Sequence, residues 1–568
     1  MNKQQLLNKH LRVRPDFGTA FAALIILANG LFIIAFSLLS QLSTVHALRL
    51  SNLSVDVSLA IGLGLIYLSS QLRRRKWTAW LATAVVYIIY LAINLETLID
   101  YYINHRLTGL EIFRAIILPG AILVLLIFDR QKYVVRSDGP GFRAAIRLSL
   151  IILIVAFIYG AAGFLLLAKA DFHQHLSIPA AMHYTIDQIG LTTNHPIHAY
   201  SRRAKLFLGS LSFISIAAIV YVIGSFFQPL RSRFGDQSPD RQRFKELILT
   251  QHDAKSEDYF KLWPPDKQYF FDSTAASGLA YHVYHGVALV LGGPAGKQAR
   301  FKQLLSEFQY LCYGNDWRPA IIHCEETNRL IYEDLGYGLQ KIGQEAVVDL
   351  NNFNTNEVKN KYFRNIVNKF AKQNYSVELL SPPHSRATLD NLRLISNDWL
   401  SSGNRAERGF AMGYFSDQYL NQCEVMVAKD AKGTILAFIN LIPAMFDEHE
   451  ATYDLLRYSS QALGNINDYL LMNLCRELED RGYSRINLGF CPLAGIEGDD
   501  KNSGLIDSVL GFAYANGDRF YSFSGLYRFK NKYSPVWRDR YIAYQGGIRG
   551  FSKAANALVQ TMRRTAGR

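Results

Sequence analysis

Cysteine is scarce in this 568-residue chain, and the five present, Cys312, Cys324, Cys423, Cys475 and Cys491, form no Cys-x-x-Cys pair and have no histidine at zinc-ligand spacing. This argues against a structural metal and predicts reduced thiols in a cytoplasmic setting. A complete P-loop is missing too. In Gly292-Gly-Pro-Ala-Gly-Lys297 the pattern is broken by Leu291 before it and Gln298 after it, which disfavours nucleotide hydrolysis. No Ser–His–Asp arrangement and no reactive cysteine stands out, so covalent catalysis has little support and no metal or cofactor is expected. A cleavable leader is not expected either. The first apolar run, 17–42, is too long for a signal h-region and lacks a small-x-small cleavage site, so it reads as a membrane span. Acidic residues are outnumbered, 47 against 61 Lys and Arg, for a net charge of +14. The excess favours anionic partners, either phospholipid head groups or nucleic acid.

Long apolar runs are abundant, but only in the first part of the chain. Six approach the roughly 20 residues a helix needs to cross hydrocarbon: 17–42, 55–72, 77–98, 112–128, 148–168 and 206–227. Basic residues collect in alternate connections: Lys3, Lys9, Arg12 and Arg14; Arg73 to Lys76; Arg130, Lys132, Arg136 and Arg143; then Arg231, Arg233, Arg241 and Arg243. The expected topology has both termini in the cytoplasm of a multi-pass membrane protein. The fifth connection, 169–205, would lie outside. It carries Arg202, Arg203 and Lys205 against the trend, and also His173, His175, His183, His195 and His198, read as solvated or interfacial histidines rather than ligands. Glu111 and Arg114 read as end-of-helix charges that snorkel, with contact to a lipid head group as the alternative.

Residues 1–228 are thus expected to form a six-span helical membrane bundle and 229–245 a basic juxtamembrane linker. The remainder alternates strand-like and helix-like segments in two successive units, 246–353 and 354–568, an α/β reading. Leu335-Gly-Tyr-Gly338 and Arg481-Gly-Tyr-Ser484 each lead from a helix into a strand and hint at duplication.

Three groups of residues carry candidate chemistry. The turn at 292–297 is either a backbone phosphate cradle or a structural strand-to-helix turn. A helix over 356–373 places Lys359, Lys361, Arg364, Asn368, Lys369 and Lys372 on one side, with Val358, Phe363, Ile366, Val367 and Phe370 toward a core. That stripe is either a solvated face or a track for a phosphodiester backbone. In Asp454-Leu-Leu-Arg-Tyr458, the strand period puts Asp454 and Arg457 on opposite faces, so they share a site only if a bulge intervenes. A structural ion pair is the alternative. Nearby, Asn487, Gly489 and Pro492 close a strand, and 520–537 reads as a second strand running into a cationic loop bearing Lys530 and Lys532, followed by Arg540. One acid among several cations suits an anionic substrate and a developing oxyanion.

Those motifs, with Ile342-Gly-Gln-Glu-Ala-Val-Val-Asp-Leu350, Trp399, Gly409-Phe-Ala-Met-Gly-Tyr-Phe415, Asn440-Leu-Ile-Pro443 and Phe529-Lys-Asn-Lys-Tyr-Ser-Pro-Val-Trp537, occur in one order through nearly all of the soluble half. In this the chain resembles the phosphatidylglycerol lysyltransferases of the multiple peptide resistance factor family, in a short form with six spans. The resemblance implies two tandem acetyltransferase-like (GNAT) domains. It also implies transfer of an amino acid, lysine first and alanine next, from aminoacyl-tRNA to phosphatidylglycerol, reducing membrane negative charge and giving resistance to cationic antimicrobial peptides. Asp454 and Arg457 would then be catalytic: Asp454 orienting the aminoacyl group or moving a proton, Arg457 holding a phosphate or oxyanion. Lys361, Arg364, Asn368, Tyr458, Asn487, Gly489, Lys530, Lys532 and Arg540 would bind substrate. The implied partners are aminoacyl-tRNA, phosphatidylglycerol and membrane lipids, with a homo-oligomer left open. Ser524 departs from the charged residue often found there, leaving the amino acid undetermined, and the longer family members' additional flipping block is not matched. An acyl-CoA-dependent acyltransferase on a membrane lipid and a non-catalytic lipid carrier or flippase are the competing readings.

Overall fold

A computed structural model of the protein describes residues 17–42, 55–103, 116–133, 135, 139–189, 199–226, 239–249, 256–402, 405–443, 449–496 and 523–564. The chain divides into two compact units: Met1–Leu230 with Tyr313–Asp316, and Arg231–Cys312 with Trp317–Arg568. The first unit is helical. Helices Phe17–Leu42, Val55–Arg73, Trp77–Ile103, Leu118–Phe128, Gly139–Asp171 and Arg202–Phe226 fall on the six apolar runs. Two stretches among the described residues, Gly18–Ala35 and Arg147–Asp171, are long and apolar enough to cross a membrane. Much of the second is bare of protein contact: Ile154 is 60% and Leu166 82% exposed.

Two details depart from expectation. The last helix begins at Arg202, so Arg202, Arg203 and Lys205 lie in its first turn instead of a loop. A further helix, Ile178–Ile189, occupies the stretch read as an outer connection. The N-terminal cations Lys3, Lys9, Arg12 and Arg14, together with Glu111, Arg114, Arg136, His195, His198, Arg231 and Arg233, lie outside the described residues.

In the second unit the expected linker is helical from its second half onward. Helix Pro239–Leu249 starts with proline, has Asp240 in its first turn, and buries Phe244 and Ile248, one helical turn apart. The sheet behind it has twelve strands: β1 Gln268–Phe271, β2 Ser277–Tyr284, β3 Val287–Leu291, β4 Ala295–Gly296, β5 Arg318–Cys324, β6 Gly338–Asp349, β7 Ser376–Leu380, β8 Val425–Lys429, β9 Ile435–Leu441, β10 Glu450–Tyr458, β11 Arg485–Pro492 and β12 Val536–Tyr544. Their order is β1-β2-β3-β5-β12-β6-β11-β10-β9-β8-β7, with β4 paired to β2.

Each half of this sheet contains one parallel pair joined through a helix. β3 and β5 enclose helix Phe301–Gly314, and β10 and β11 enclose Ile466–Asp480. Burial on both faces explains why β3 reads as the uninterrupted run Val-Ala-Leu-Val-Leu. The closing strands are exchanged: β6 pairs with β11, while β12 inserts between β5 and β6. One continuous sheet therefore crosses residue 353.

The repeated Gly-Tyr dipeptides are matching helix ends. Gly336 and Gly482 have φ of +78° and +91°. The following N–H groups, of Tyr337 and Tyr483, donate to the carbonyls of Tyr332 and Leu478, five residues back, in both cases near 3 Å. Glycine is favoured there because a side chain strains the left-handed turn.

Helix Lys361–Lys372 is capped by the Asn360 side chain, which accepts from the Phe363 N–H. Phe363, Ile366 and Phe370 enter the core, and Phe370 stacks on Tyr469 with ring centres 4.2 Å apart. Val367 does not follow them; it is 41% exposed, on the cationic side.

Residues 520–537 are the main correction. They contain a helix, Phe523–Asn531, before β12. Aromatic and basic residues alternate as in a strand, but Leu526, Phe529, Lys530 and Tyr533 are the side chains turned inward, a helical i, i+3, i+4, i+7 set.

Candidate functional site

β10 and β11 run parallel for three rungs, Glu450 with Arg485, Ala451 with Ile486 and Thr452 with Asn487. Beyond that point both strands lose register with their outer neighbours, β10 against β9 between Tyr453 and Leu456, β11 against β6 between Asn487 and Phe490. Bulges free backbone groups from the ladder, and buried ones must be met elsewhere. Side chains do so here. Asn440 Oδ1 accepts the Leu455 N–H at 2.7 Å, and Asn487 Oδ1 accepts the Gly489 N–H at 2.8 Å. The Lys530 ammonium donates to the carbonyls of Gly489 and Phe490 at 2.8 and 3.0 Å.

The irregularity in β10 falls at Asp454, within the stretch where the strand period would otherwise put Asp454 and Arg457 on opposite faces. Asp454 Oδ2 accepts from the Tyr419 hydroxyl at 2.8 Å and the carboxylate also takes a backbone hydrogen bond from Gly413. Burial pushes its pKa up to about 6, opposed by the Tyr419 bond and the Arg457 charge and reinforced by Glu407. Gly413 is dictated by space: a Cβ there would lie 2.0 Å from Asp454 Oδ2 and 2.7 Å from the Tyr419 ring. Tyr419 is itself held by stacking on Trp263, ring centres 5.1 Å apart.

Arg457 is only 3% exposed. Its guanidinium donates two bonds to Glu407, at 2.7 and 2.6 Å, and a third to the Ser396 hydroxyl, and lies over the Trp399 ring. A fork-to-fork pair of this kind fixes the guanidinium plane. Glu407 was not singled out in the sequence, nor was Tyr419. The short run Arg405–Phe415 carries Glu407 to Arg457 and Gly413 to Asp454, and the sequence motif within it begins only at Gly409. Tyr458 ends β10 and packs against the main core cluster.

Arg540 of β12, Asn487 and Gly489 of β11 and Lys530 of the helix Phe523–Asn531 form a second group around Glu345 of β6. Arg540 is met by three carboxylates: Glu257 at 3.1 Å, Glu325 at 3.2 Å, and Glu345. Asn487 Nδ2 donates to Glu257 at 3.3 Å. Burial alone would raise Glu345, but the charge and hydrogen bond of Arg540 hold it below the usual carboxylate range. Burial lowers the Lys530 ammonium to about 8 and His323 to about 4. The turn Ser256–Lys261 borders both groups, since Glu257 reaches Arg540 and the Tyr259 ring lies beside Tyr419, centres 6.3 Å apart.

Lys532 belongs to a third group. Its ammonium donates to both oxygens of Asp468, at 2.7 and 2.8 Å, and to the Tyr362 hydroxyl at 2.9 Å. Tyr362 projects from the helix on which Lys361, Arg364 and Asn368 stand exposed to solvent. The turn at Gly292 spends its amides within the sheet: Gly292 N–H donates to Ile322 and Lys297 N–H to Ala276. Among the described residues, no three His, Cys, Asp or Glu side chains converge as a metal site would need.

Bulged strands carrying a buried carboxylate of raised pKa and a fixed guanidinium make this the candidate site of an α/β sheet. Residues 245–544 match the family described as phosphatidylglycerol lysyltransferase, C-terminal, and the chain belongs to that family. It is similar to the phosphatidylglycerol lysyltransferase of Bacillus subtilis (strain 168), 34% identical over 280 residues, which are 49% of this chain and 32% of that protein. The Staphylococcus haemolyticus (strain JCSC1435) protein of the same name is 30% identical over 339 residues, 59% of this chain and 39% of that one. The match thus spans well under half the length of these relatives. The solved structure of L-PGS from Bacillus licheniformis superposes with a TM-score of 0.51 at 29% identity, covering 59% of this chain and 99% of that one.

Proposed function

We propose that this chain transfers an aminoacyl group, lysyl first and alanyl next, from aminoacyl-tRNA to a glycerol hydroxyl of phosphatidylglycerol. The observation that carries the reading is the bulged β10, which sets Asp454, its pKa raised to about 6, beside the immobilised Arg457 within the family-matching region. Asp454 is ionised at neutral pH yet near enough to neutrality to take a proton, which suits a general base. It accepts the lipid hydroxyl proton as that oxygen bonds to the ester carbonyl carbon. The ester bond to the tRNA ribose then breaks, and Asp454 gives the proton it took to the departing ribose oxygen. The donor ester is already activated, so the chain's task is to position two substrates. Arg457, neutralised by Glu407, orients the site through its fixed N–H groups. Lys530 and Asn487 hold the irregular backbone of β11 at Gly489 and Phe490, Lys532 and Arg540 flank the site, and the face carrying Lys361, Arg364 and Asn368 accepts tRNA phosphates.

In this reading residues 1–228 hold six spans with both termini in the cytoplasm, 229–245 join them to the soluble unit, and 246–353 and 354–568 are two acetyltransferase-like lobes with exchanged closing strands. An added lysine turns an anionic lipid cationic and weakens the attraction of cationic peptides. The test is thin-layer analysis of lipids from cells expressing the chain, with labelled lysine and labelled alanine supplied separately. A new labelled lipid, lost with Asp454→Asn and Arg457→Ala, is expected; none from the intact protein in membranes supplied with charged tRNA would move the donor to another acyl carrier.

A further inference from the structure

Helix Ile178–Ile189 turns a line of large apolar side chains away from the protein. Its protein-facing side is mixed: Ala181 and Thr185 are buried, Tyr184 and Ile189 pack partly buried against the Phe164 and Phe207 cluster, and the Gln188 amide donates to Ser212 Oγ at 2.7 Å and to the Leu208 carbonyl at 3.4 Å. One step around the helix, Ile178, Met182 and Ile186 form a line of large apolar side chains that are 64%, 41% and 60% exposed. A further step around comes the exposed His183, paired at 3.2 Å with Asp187, whose side chain is only 15% exposed. A helix packed on a protein in water puts its apolar line inward. This one has three sides, for protein, for an apolar medium and for water, in that order.

We propose that Ile178–Ile189 is an interfacial anchor, lying in the plane of the bilayer with Ile178, Met182 and Ile186 among lipid acyl chains and His183 at the head-group and water side. The occupant follows from continuity. The preceding helix, Gly139–Asp171, contains an apolar stretch long enough to cross a membrane, and bare apolar side chains continue from it at Leu166 to Leu206 and Phe213 of the following helix, 66% and 71% exposed. Twelve residues make a helix of about 18 Å, short of the roughly 30 Å of hydrocarbon, so it does not cross. The aromatic cluster of Phe164, Phe172 and Phe207, with Phe172 fully buried, fixes the chain just before it. The three-sided pattern is that of helices that bind the membrane surface.

The proposal rests on the membrane placement of the first unit, and the test separates the two. Nitroxide labels placed through Met182→Cys, Ile186→Cys, His183→Cys and Ile154→Cys, all exposed positions, are read by power-saturation electron paramagnetic resonance in the full chain in phosphatidylglycerol-containing vesicles. The five native cysteines are buried, and unlabelled controls account for any residual signal. Labels at 182 and 186 are expected to be several-fold more accessible to oxygen than to a water-soluble nickel complex, at shallower depth than 154, with the preference reversed at 183. Labels at 182 and 186 as nickel-accessible as 183, with 154 still in hydrocarbon, would overturn the anchor and leave the membrane placement standing. Labels at 182 and 186 shielded from both reagents would overturn it in favour of a protein contact. Nickel access at 154 would remove the membrane placement itself.

Discussion

The Tyr419 hydroxyl stands 2.8 Å from Asp454 Oδ2, and the bond favours the ionised carboxylate against the burial that opposes it. Tyr419→Phe removes that donor while keeping the ring stacked on Trp263. The Asp454 pKa then rises, and because a base works when ionised, the acid limb of the pH–rate profile moves up by on the order of one unit. Turnover at high pH changes much less. An unmoved limb would separate Asp454 from proton transfer.

Glu407→Gln has the opposite sign. The carboxylate raises the Asp454 pKa and holds Arg457, so its neutral replacement lets the acid limb fall. Arg457, nearly buried, loses its charged partner, at a cost of about 2 kcal/mol, less than for a fully buried pair because Glu407 is partly exposed. Thermal unfolding and a pH–rate profile on one preparation check both effects.

Asp454→Asn should trade activity for stability. A carboxyl whose folded pKa lies near 6, above the ordinary 3.8, favours folding at pH values below the ordinary one and loses that contribution as pH rises through 6. The amide carries no such titration, so above pH 6 the variant gains on the order of 3 kcal/mol relative to the parent. Turnover drops by roughly 10² to 10⁴. Unfolding of the detergent-solubilised chain at pH 5 and pH 8 distinguishes this from general damage, which would lower both.

Lys361→Ala with Arg364→Ala touches only exposed side chains, so unfolding temperature should hold. If the face meets phosphates, tRNA affinity falls and the slope of log affinity against log salt flattens by about one for each lost contact. Unchanged salt dependence would assign the stripe to solvent alone.

The elements most legible in the sequence were those set by a single period. The helix Lys361–Lys372 and the buried strand β3 announce themselves by burial at 3.6 residues and by an unbroken apolar run. Phe523–Asn531 misleads because Tyr527 to Lys530 alternate by type while the inward set follows the helical period. Ile178–Ile189 was hidden for another reason: with an apolar line outward and a span too short to count, it resembles a polar connection unless Ile178, Met182 and Ile186 are read at four-residue spacing.

At the site, the sequence pointed to Asp454 and Arg457 and to the bulge their spacing demands. It did not supply the groups that tune them, Tyr419 and Glu407, because they come from segments far off in the chain. Nor did it show that Arg457, Lys532 and Arg540 are already neutralised. Charge counted along a chain carries no information about pairing, and three carboxylates meet Arg540 from three separate segments.

The place of β12 has a consequence for biosynthesis. β5 and β6 leave the ribosome long before the strand that lies between them, so their facing edges stay open while the second half of the sheet is made. The open edges are templates for wrong pairing during that interval. The interval ends only when residues 536–544 arrive to pair with both edges and close the sheet.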